Sequence, residues 1–237
     1  MPLLEVADLT YRYPDGTHAL SGVSFAVERG EKVALLGPTG AGKSTLLLHL
    51  NGLLLPASGC VTIDGIAVSG GTVREVRQRV GLVFQDPDDQ LFLPSLLEDV
   101  AFGPLNEGCD PEGAELLARG VLQSLGLGGN EMRAAHHLSG GEKRLAALAT
   151  VLVSHPLVLV LDEPTSNLDA RGKRRLVRLL RERGETLLVA THDLAVARAL
   201  CERAVIMADG ALVHDGQLEH IVTDQEFLDH HGLWAEL

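Results

Sequence analysis

Apolar positions in the opening part of the chain follow a loose period of two. The run LLEVADLTYRY (residues 3–13) gives way to the turn residues PDGT, then to VSFAV, the tight turn ERGE and KVALLG. Alternation broken by such clusters predicts strands, with ERGE as a hairpin between the second and the third. After Gly42 the period changes. KSTLLLHLNG predicts a helix that stops at Gly52 as its C′ glycine, with Pro56 just beyond.

Further along, residues 73–126 contain a short strand VGLVF, a polar turn QDPDDQ and helical material interrupted by Pro94, Pro104 and Pro111. This stretch reads as a mostly helical insertion. HPLVLVLDEP (155–164) and TLLVATHD (186–193) are continuous apolar runs of the kind found in strands buried on both faces. Between them DARGKRRLVRLLRERG places Leu176, Val177, Leu179 and Leu180 on a helix that Gly184 stops. Its arginines read as a solvated helix face rather than a nucleic-acid site. Strand and helix alternate, which predicts an α/β fold with a parallel sheet and right-handed crossovers. No tandem repeat, low-complexity tract or long linker interrupts it.

Composition narrows the class. The chain has 237 residues, 46% of them apolar, enough to bury a real core. With 20 basic against 32 acidic residues the formal charge is -12, which argues against broad electrostatic binding to nucleic acid or an anionic bilayer. Cys60, Cys109 and Cys201 form no CxxC spacing, so neither a disulfide framework nor a zinc site is expected. The start MPLLEVADLT lacks a basic segment followed by an apolar one, and no stretch approaches the ~20 apolar residues that span a bilayer. Any membrane connection is therefore expected to run through a partner.

Chemistry concentrates in two glycine-rich segments. GPTGAGKST (37–45) satisfies GxxxxGK[ST] between an apolar strand and a helix, where a phosphate cradle must sit. Its glycines let successive N–H groups turn onto one anion, and the helix N-terminus adds partial positive charge. Lys43 would reach the β- and γ-phosphates and the Ser44 hydroxyl would ligate Mg²⁺. A ligand-free glycine turn is the alternative. Asp162 ends the buried run LVLVLD, the setting for the acid that holds Mg²⁺ through water, and Glu163 follows, placed to polarise the attacking water. Capping of the next helix by the two carboxylates is the alternative. The second segment, LSGGEKR (138–144), sets Ser139, Gly140 and Gly141 at a helix start, where one chain with one nucleotide needs no second phosphate device. Ser139 as a simple N-cap explains only part of it, since two glycines weaken an ordinary helix start.

GPTGAGKST, LSGGEKR, LVLVLDEP, SNLD (166–169) and ATHD occur in the order seen in ATP-binding cassette ATPases, and the chain resembles that family over nearly its whole length. The resemblance implies a P-loop fold of that type: a parallel-sheet core with an N-terminal antiparallel β subdomain and a helical insertion. It implies one domain, with the β subdomain and P-loop core at about 1–84, the helical part at about 85–153, the core resumed at about 154–215 and a tail at about 216–237. In proteins like this, two cassettes pack head to tail. ATP bound by Gly37, Pro38, Thr39, Gly40, Ala41, Gly42, Lys43, Ser44 and Thr45 of one is covered by Ser139, Gly140 and Gly141 of the other. The resemblance makes Tyr13 the aromatic that stacks on adenine, with Tyr11 the less favoured candidate. It makes Gln85 the glutamine that contacts Mg²⁺ and water, His192 the histidine at the γ-phosphate, and Asp169 the aspartate of the loop crossing the dimer interface. Glu142 stands where many members have glutamine and Asn167 where many have alanine; the hydrolytic set is intact.

Coiled-coil or zinc insertions of DNA-repair relatives and the fused cassettes of ribosome-acting relatives are absent from this sequence, so an ATPase of transport is favoured over one acting on DNA or the ribosome. GLVFQDPDDQLFLPSLLEDVAFGPLN resembles the ATPases of energy-coupling-factor transporters, importers of cobalt, nickel and vitamins. This implies a peripheral subunit on the cytoplasmic face of the membrane, a second ATPase subunit, a membrane-embedded coupling protein and a substrate-binding membrane protein, with cobalt as the cargo suggested. Phe92, Leu93, Leu96 and Leu97 are expected either to wall a groove for the coupling protein or to form the insertion's own core. The pairs His136–His137 and His230–His231 lack ligand spacing and read as solvated.

Overall fold

The computed structural model describes residues 1–230. The chain opens with β1 (Leu4–Arg12) and β2 (His18–Val27), paired antiparallel across an exposed turn. β3 (Lys32–Leu36) leads into the glycine loop and α1 (Lys43–Leu50). β4 (Ser58–Ile63) and β5 (Ile66–Ala67) then return to the first sheet, whose order is β2-β1-β4-β5. After α2 (Val73–Arg79) and β6 (Val80–Val83) come α3 (Leu96–Glu107), α4 (Pro111–Ser124) and α5 (Gly140–Leu152). β7 (Val158–Asp162), α6 (Ala170–Glu182), β8 (Thr186–Ala190), α7 (Leu194–Leu200), β9 (Arg203–Ala208) and β10 (Ala211–Gln217) complete the second sheet, and α8 (Leu218–Thr223) and α9 (Gln225–His230) follow.

The second sheet has the order β10-β9-β3-β8-β7-β6, parallel throughout except for the β9–β10 pair at its edge. Its inner strands explain the continuous apolar runs. On β3, Ala34 and Leu36 enter the core under the helices while Val33 and Leu35 enter the core under the antiparallel sheet. The same division recurs on β7, where Leu159 and Leu161 face one way and Val158 and Val160 the other. A strand sandwiched between two cores has no polar face to offer, and each fully buried leucine contributes about 1.5–3 kcal/mol.

That burial also corrects the hairpin expected at ERGE. β2 and β3 are not partners: β2 pairs with β1, and β3 lies between β8 and β9. The turn carries the chain from one sheet to the other, held by Glu31 N–H on the Glu28 carbonyl (3.1 Å) and by Gly30 N–H on Thr186 Oγ1 (2.8 Å). Only the middle of the parallel sheet buries both faces of KVALL. Pro104 likewise does not interrupt its helix. It lies in the last turn of α3, where its missing N–H removes one bond and the helix still closes on Gly108 in the left-handed region (φ 100°). Pro111 begins α4 at the position where proline fits best. Gly52 lies past the end of α1 with φ 70°, and its N–H bonds the His49 carbonyl.

Leu96 and Leu97 belong to the core of the helical part, as the second of the two expectations has it. Phe92 is 64% exposed and stacks edge to face on Phe102 of α3, ring centres 5.5 Å apart. Beside Phe102 a groove of about 460 Å³ runs between α2, β6, α3 and α5, lined by Val73, Arg77, Gly81, Val151 and Pro156. No described helix is long and apolar enough to cross a membrane.

Candidate functional site

The glycine loop joins the end of β3 to the start of α1, and two of its glycines are obligatory. A Cβ on Gly37 (φ 149°) would lie 2.3 Å from the Met207 carbonyl oxygen, and one on Gly42 (φ 96°) would lie 2.5 Å from that of Ala19. Beside Gly40 there is open space. The loop is thus pressed against the protein at its ends and free at its middle, as a backbone cradle requires. Lys43 Nζ donates to the carbonyls of Gly37 (2.7 Å) and Pro38 (3.0 Å), so the ammonium spans the loop. Burial pushes its pKa down, and the charges of Glu163 and Asp162 oppose that shift.

Asp162 lies at the end of β7, where parallel strands deliver side chains to one edge of the sheet. Burial pushes its carboxyl up, against the Ser44 hydroxyl bond that holds it down. Ser44, Gln85 and Asp162 line one cleft of about 440 Å³, shared with Phe84, Asp89 and Asn167. A hydroxyl, a carboxamide and a carboxylate are all hard oxygen donors. This set suits a small divalent cation that keeps some water and takes phosphate oxygens as its other ligands.

Glu163 is buried (8% exposed) in the left-handed region at φ 43°, an uncommon conformation for a residue with a side chain. Its Oε1 accepts from the His192 N–H (3.0 Å) and from His192 Nδ1 (2.8 Å), and its Oε2 accepts from Thr191 Oγ1 (3.2 Å). Three of about four acceptor positions are filled, which orients the carboxylate and leaves one for a water. The His192 side chain is 73% exposed, so its far edge faces the surface.

Ser139 caps α5 through a complete capping box: its Oγ accepts from Glu142 N–H (3.3 Å), and Glu142 Oε2 accepts from Ser139 N–H (2.8 Å) and Oγ (2.7 Å). The Ser139 hydroxyl and N–H hold the Glu142 carboxyl below its usual range. Gly140 and Gly141 are both unobstructed on their Cβ sides, apart from a distant Leu168 methyl at Gly141. Asp169 caps α6, accepting from Gly172 N–H at 2.7 Å. Ser139, Gly141 and Asp169 share a cleft of about 590 Å³ with the exposed arginines of α6, and no residue of the 37–45 loop lines it. The two glycine-rich segments of one chain therefore open into different clefts.

Tyr13 is half-buried and its hydroxyl lies 3.0 Å from Thr45 Oγ1. Tyr11 packs between Tyr13 and His49, which leaves Tyr13 as the outer ring. Pro38, Thr39 and Ala41 complete the loop, Ala41 inside the core. His136 and His137 are exposed, and no metal-binding cluster of His, Cys, Asp and Glu occurs among the described residues. His231 lies outside them.

Sequence reasoning missed Arg144. It is 3% exposed on the inner face of α5, donating from Nη1 to the Phe84 carbonyl (2.9 Å) and from Nη2 to the Gln85 carbonyl (2.8 Å) and Ser166 Oγ (3.1 Å). Ser166 Oγ in turn donates to the Glu163 carbonyl at 2.9 Å. One guanidinium thus ties the helix capped by Ser139 to the backbone of Gln85 and to the loop after Glu163. Burial pushes its pKa down, opposed by Asp86, Asp162 and Glu163. The available signal was an arginine in the same helical stripe as Leu145, Leu148 and Leu152.

Comparison with known proteins agrees with this arrangement. Residues 20–166 match the family model described as ABC transporter. An energy-coupling factor transporter ATP-binding protein EcfA of Methanothermobacter thermautotrophicus is 47% identical over 231 residues, covering 95% of this chain and 74% of the relative. Among solved structures, cbiO1 of Clostridium perfringens, part of the ABC transporter complex cbiONQ, superposes with a TM-score of 0.81 at 36% identity, covering 97% of this chain and 94% of that one. The dimeric post-hydrolysis state of the cassette MJ0796 with ADP and Pi gives 0.82 at 29% identity, covering 91% and 98%. Ordered motifs, sheet topology and relatives agree: the chain belongs to the ABC transporter family, as an ATP-binding and ATP-hydrolysing subunit.

Proposed function

We propose that this chain powers an importer of the energy-coupling-factor type, working as a head-to-tail dimer peripheral to the cytoplasmic face of a membrane. ATP lies in the 37–45 cradle with its base on Tyr13. Ser44, Gln85 and Asp162, which line one cleft, would hold Mg²⁺ there. When bound, the ion supplies positive charge at the β- and γ-oxygens. Glu163, fixed by Thr191 and His192, orients the water, and the γ-phosphate meets Ser139, Gly140 and Gly141 of a second subunit. A ligand that touches both subunits only in the closed state shifts the population toward closure, and its hydrolysis releases them.

The observation that carries this reading is the separation of Ser139 and Asp169 from the 37–45 loop, each set in its own cleft. A surface carrying a complementary half of each site is completed by a second copy. Likeness to EcfA and to cbiO1 supports the transporter class, and the groove beside Phe102, lined by apolar side chains together with Arg74, Arg77 and Glu107, offers a seat for a helix of the coupling protein. Cargo, whether cobalt, nickel or a vitamin, is selected by the substrate-binding membrane protein. The test is to identify the proteins that copurify with the tagged chain from detergent-solubilised membranes. A multispan membrane protein in fixed stoichiometry is expected; DNA-binding or ribosomal partners would overturn the transport reading and leave the ATPase standing.

A further inference from the structure

Beside the phosphate cradle the side chains of His49, Tyr11, Tyr13 and Thr45, with the Thr45 carbonyl, close a ring of contacts to which the roles above give no purpose. His49, one turn beyond Thr45 on α1, is fully buried at 0% exposure. Burial pushes its pKa down, with the Thr45 and Leu55 backbones opposing. Its Nδ1 lies 2.8 Å from the Thr45 carbonyl oxygen, which can only accept, so Nδ1 donates there. The imidazole meets Tyr11 nearly at right angles, centroids 4.6 Å apart and planes at 74°. Tyr11 meets Tyr13 the same way, at 5.1 Å and 86°. The Tyr13 hydroxyl then reaches Thr45 Oγ1 at 3.0 Å, returning the path to the residue where it began.

The ring adds oriented contacts between two elements that already share an apolar core. Tyr11 is in β1, and Tyr13 stands just past it at the entrance to an exposed turn, where its N–H donates to the Thr17 carbonyl at 2.9 Å. Thr45 and His49 belong to the helix whose N-terminus faces the phosphates. Edge-to-face pairs have a definite geometry, so two in series pass orientation from the helix to the outer ring. An imidazole among Leu46, Leu47 and Leu50 is an expensive way to fill space, since burying a polar ring edge carries a penalty that leucine avoids.

We propose that His49 is a positioning residue: through Tyr11 and Thr45 it fixes the Tyr13 ring relative to the phosphate cradle, so that the purine base and the phosphates of one nucleotide are recognised as a single rigid unit. This rests on Tyr13 being the base-stacking ring. Its signature is a loss confined to ligands that have a base.

The full chain carrying His49→Leu is titrated with Mg-ADP and, separately, with Mg-pyrophosphate by calorimetry, and its ATP hydrolysis is measured. Losing an ordered stack should weaken ADP about tenfold. Pyrophosphate binding should stay within about twofold, and KM for ATP should rise while kcat holds, the pattern of lost uniform binding. Tyr11→Leu cuts the same path from the other side and should do the same, which decides the matter should His49→Leu fail to fold. Unchanged ADP binding in these variants, or equal losses for ADP and pyrophosphate, would overturn the proposal. Tyr13→Ala separates it from the reading beneath. If Tyr13→Ala leaves ADP binding intact, the base-stacking role itself falls. If Tyr13→Ala weakens ADP, adding His49→Leu should cost nothing more, and a further tenfold loss would overturn the positioning role.

Discussion

Replacing Arg144 with alanine tests whether the cleft at Ser44, Gln85 and Asp162 is held in place from the helical part. Its guanidinium donates to the Phe84 and Gln85 carbonyls and to Ser166 Oγ, with a longer bond to the Ser166 carbonyl (3.5 Å), from a position only 3% exposed. Each such bond is worth about 1.5–3 kcal/mol net. Phe84 is half-buried and Gln85 exposed, so their carbonyls recover part of this from water. Arg144→Ala leaves neutral acceptors rather than an unpaired charge, and one or two of them left unsatisfied at about 1–3 kcal/mol each give an expected loss of about 2–4 kcal/mol. A domain stable by about 5–15 kcal/mol stays folded through it at low temperature. The released backbone should misplace Gln85, and a shift of about 1 Å lowers kcat about 10²-fold. Arg144→Lys keeps the charge without the planar fork and should fall between. Urea unfolding gives the first number, phosphate release the second, and hydrogen exchange at residues 84–86 shows where the loosening occurs. An alanine variant with wild-type turnover and unchanged exchange at 84–86 would refute the linkage.

Glu163→Gln should keep ATP binding while phosphate release falls about 10²- to 10⁴-fold, and normal turnover would remove the carboxylate from the chemistry. The same variant with saturating ATP should scatter light as a dimer, and persistent monomers would count against the shared site. Glu142 gives a pH test. Its pKa is held below the usual 4.5, so it adds stability above that pH and loses it as the pH falls through the folded value. The Tm advantage of the wild type over Glu142→Gln should therefore shrink below about pH 4.5; a widening gap would contradict the capping geometry. Thiol titration should find exposed Cys60 reacting first, half-buried Cys109 more slowly, and Cys201, buried and pushed up to about 12, only after unfolding. Three fast thiols in the native protein would mean that the core is looser than described.

Legibility in the sequence followed the physics of burial. VLVLD and TLLVA announced strands with no polar face, and β7 and β8 lie where both faces are covered. ERGE misled because a turn signal states that the chain reverses or bends, while pairing depends on which sheet buries the next strand. The β4–β5 hairpin went unread although Asp64 and Gly65 both take positive φ, as the DG pair between Ile63 and Ile66 indicates. Motif spacing identified the cradle, yet it could not reveal that Glu163 and His192, far apart in the chain, bond directly at 2.8 Å. Arg144 was invisible for a different reason. A charge on a core-facing stripe looks like a flaw until the carbonyls of Phe84 and Gln85 are seen beside it.

A structure of the Glu163→Gln protein with ATP trapped tests the central claim most directly. The account predicts two copies with each γ-phosphate held by Lys43 of one and within hydrogen-bond reach of Ser139 and Gly141 of the other. A nucleotide enclosed by a single chain, with Ser139 turned to bulk solvent, would contradict it.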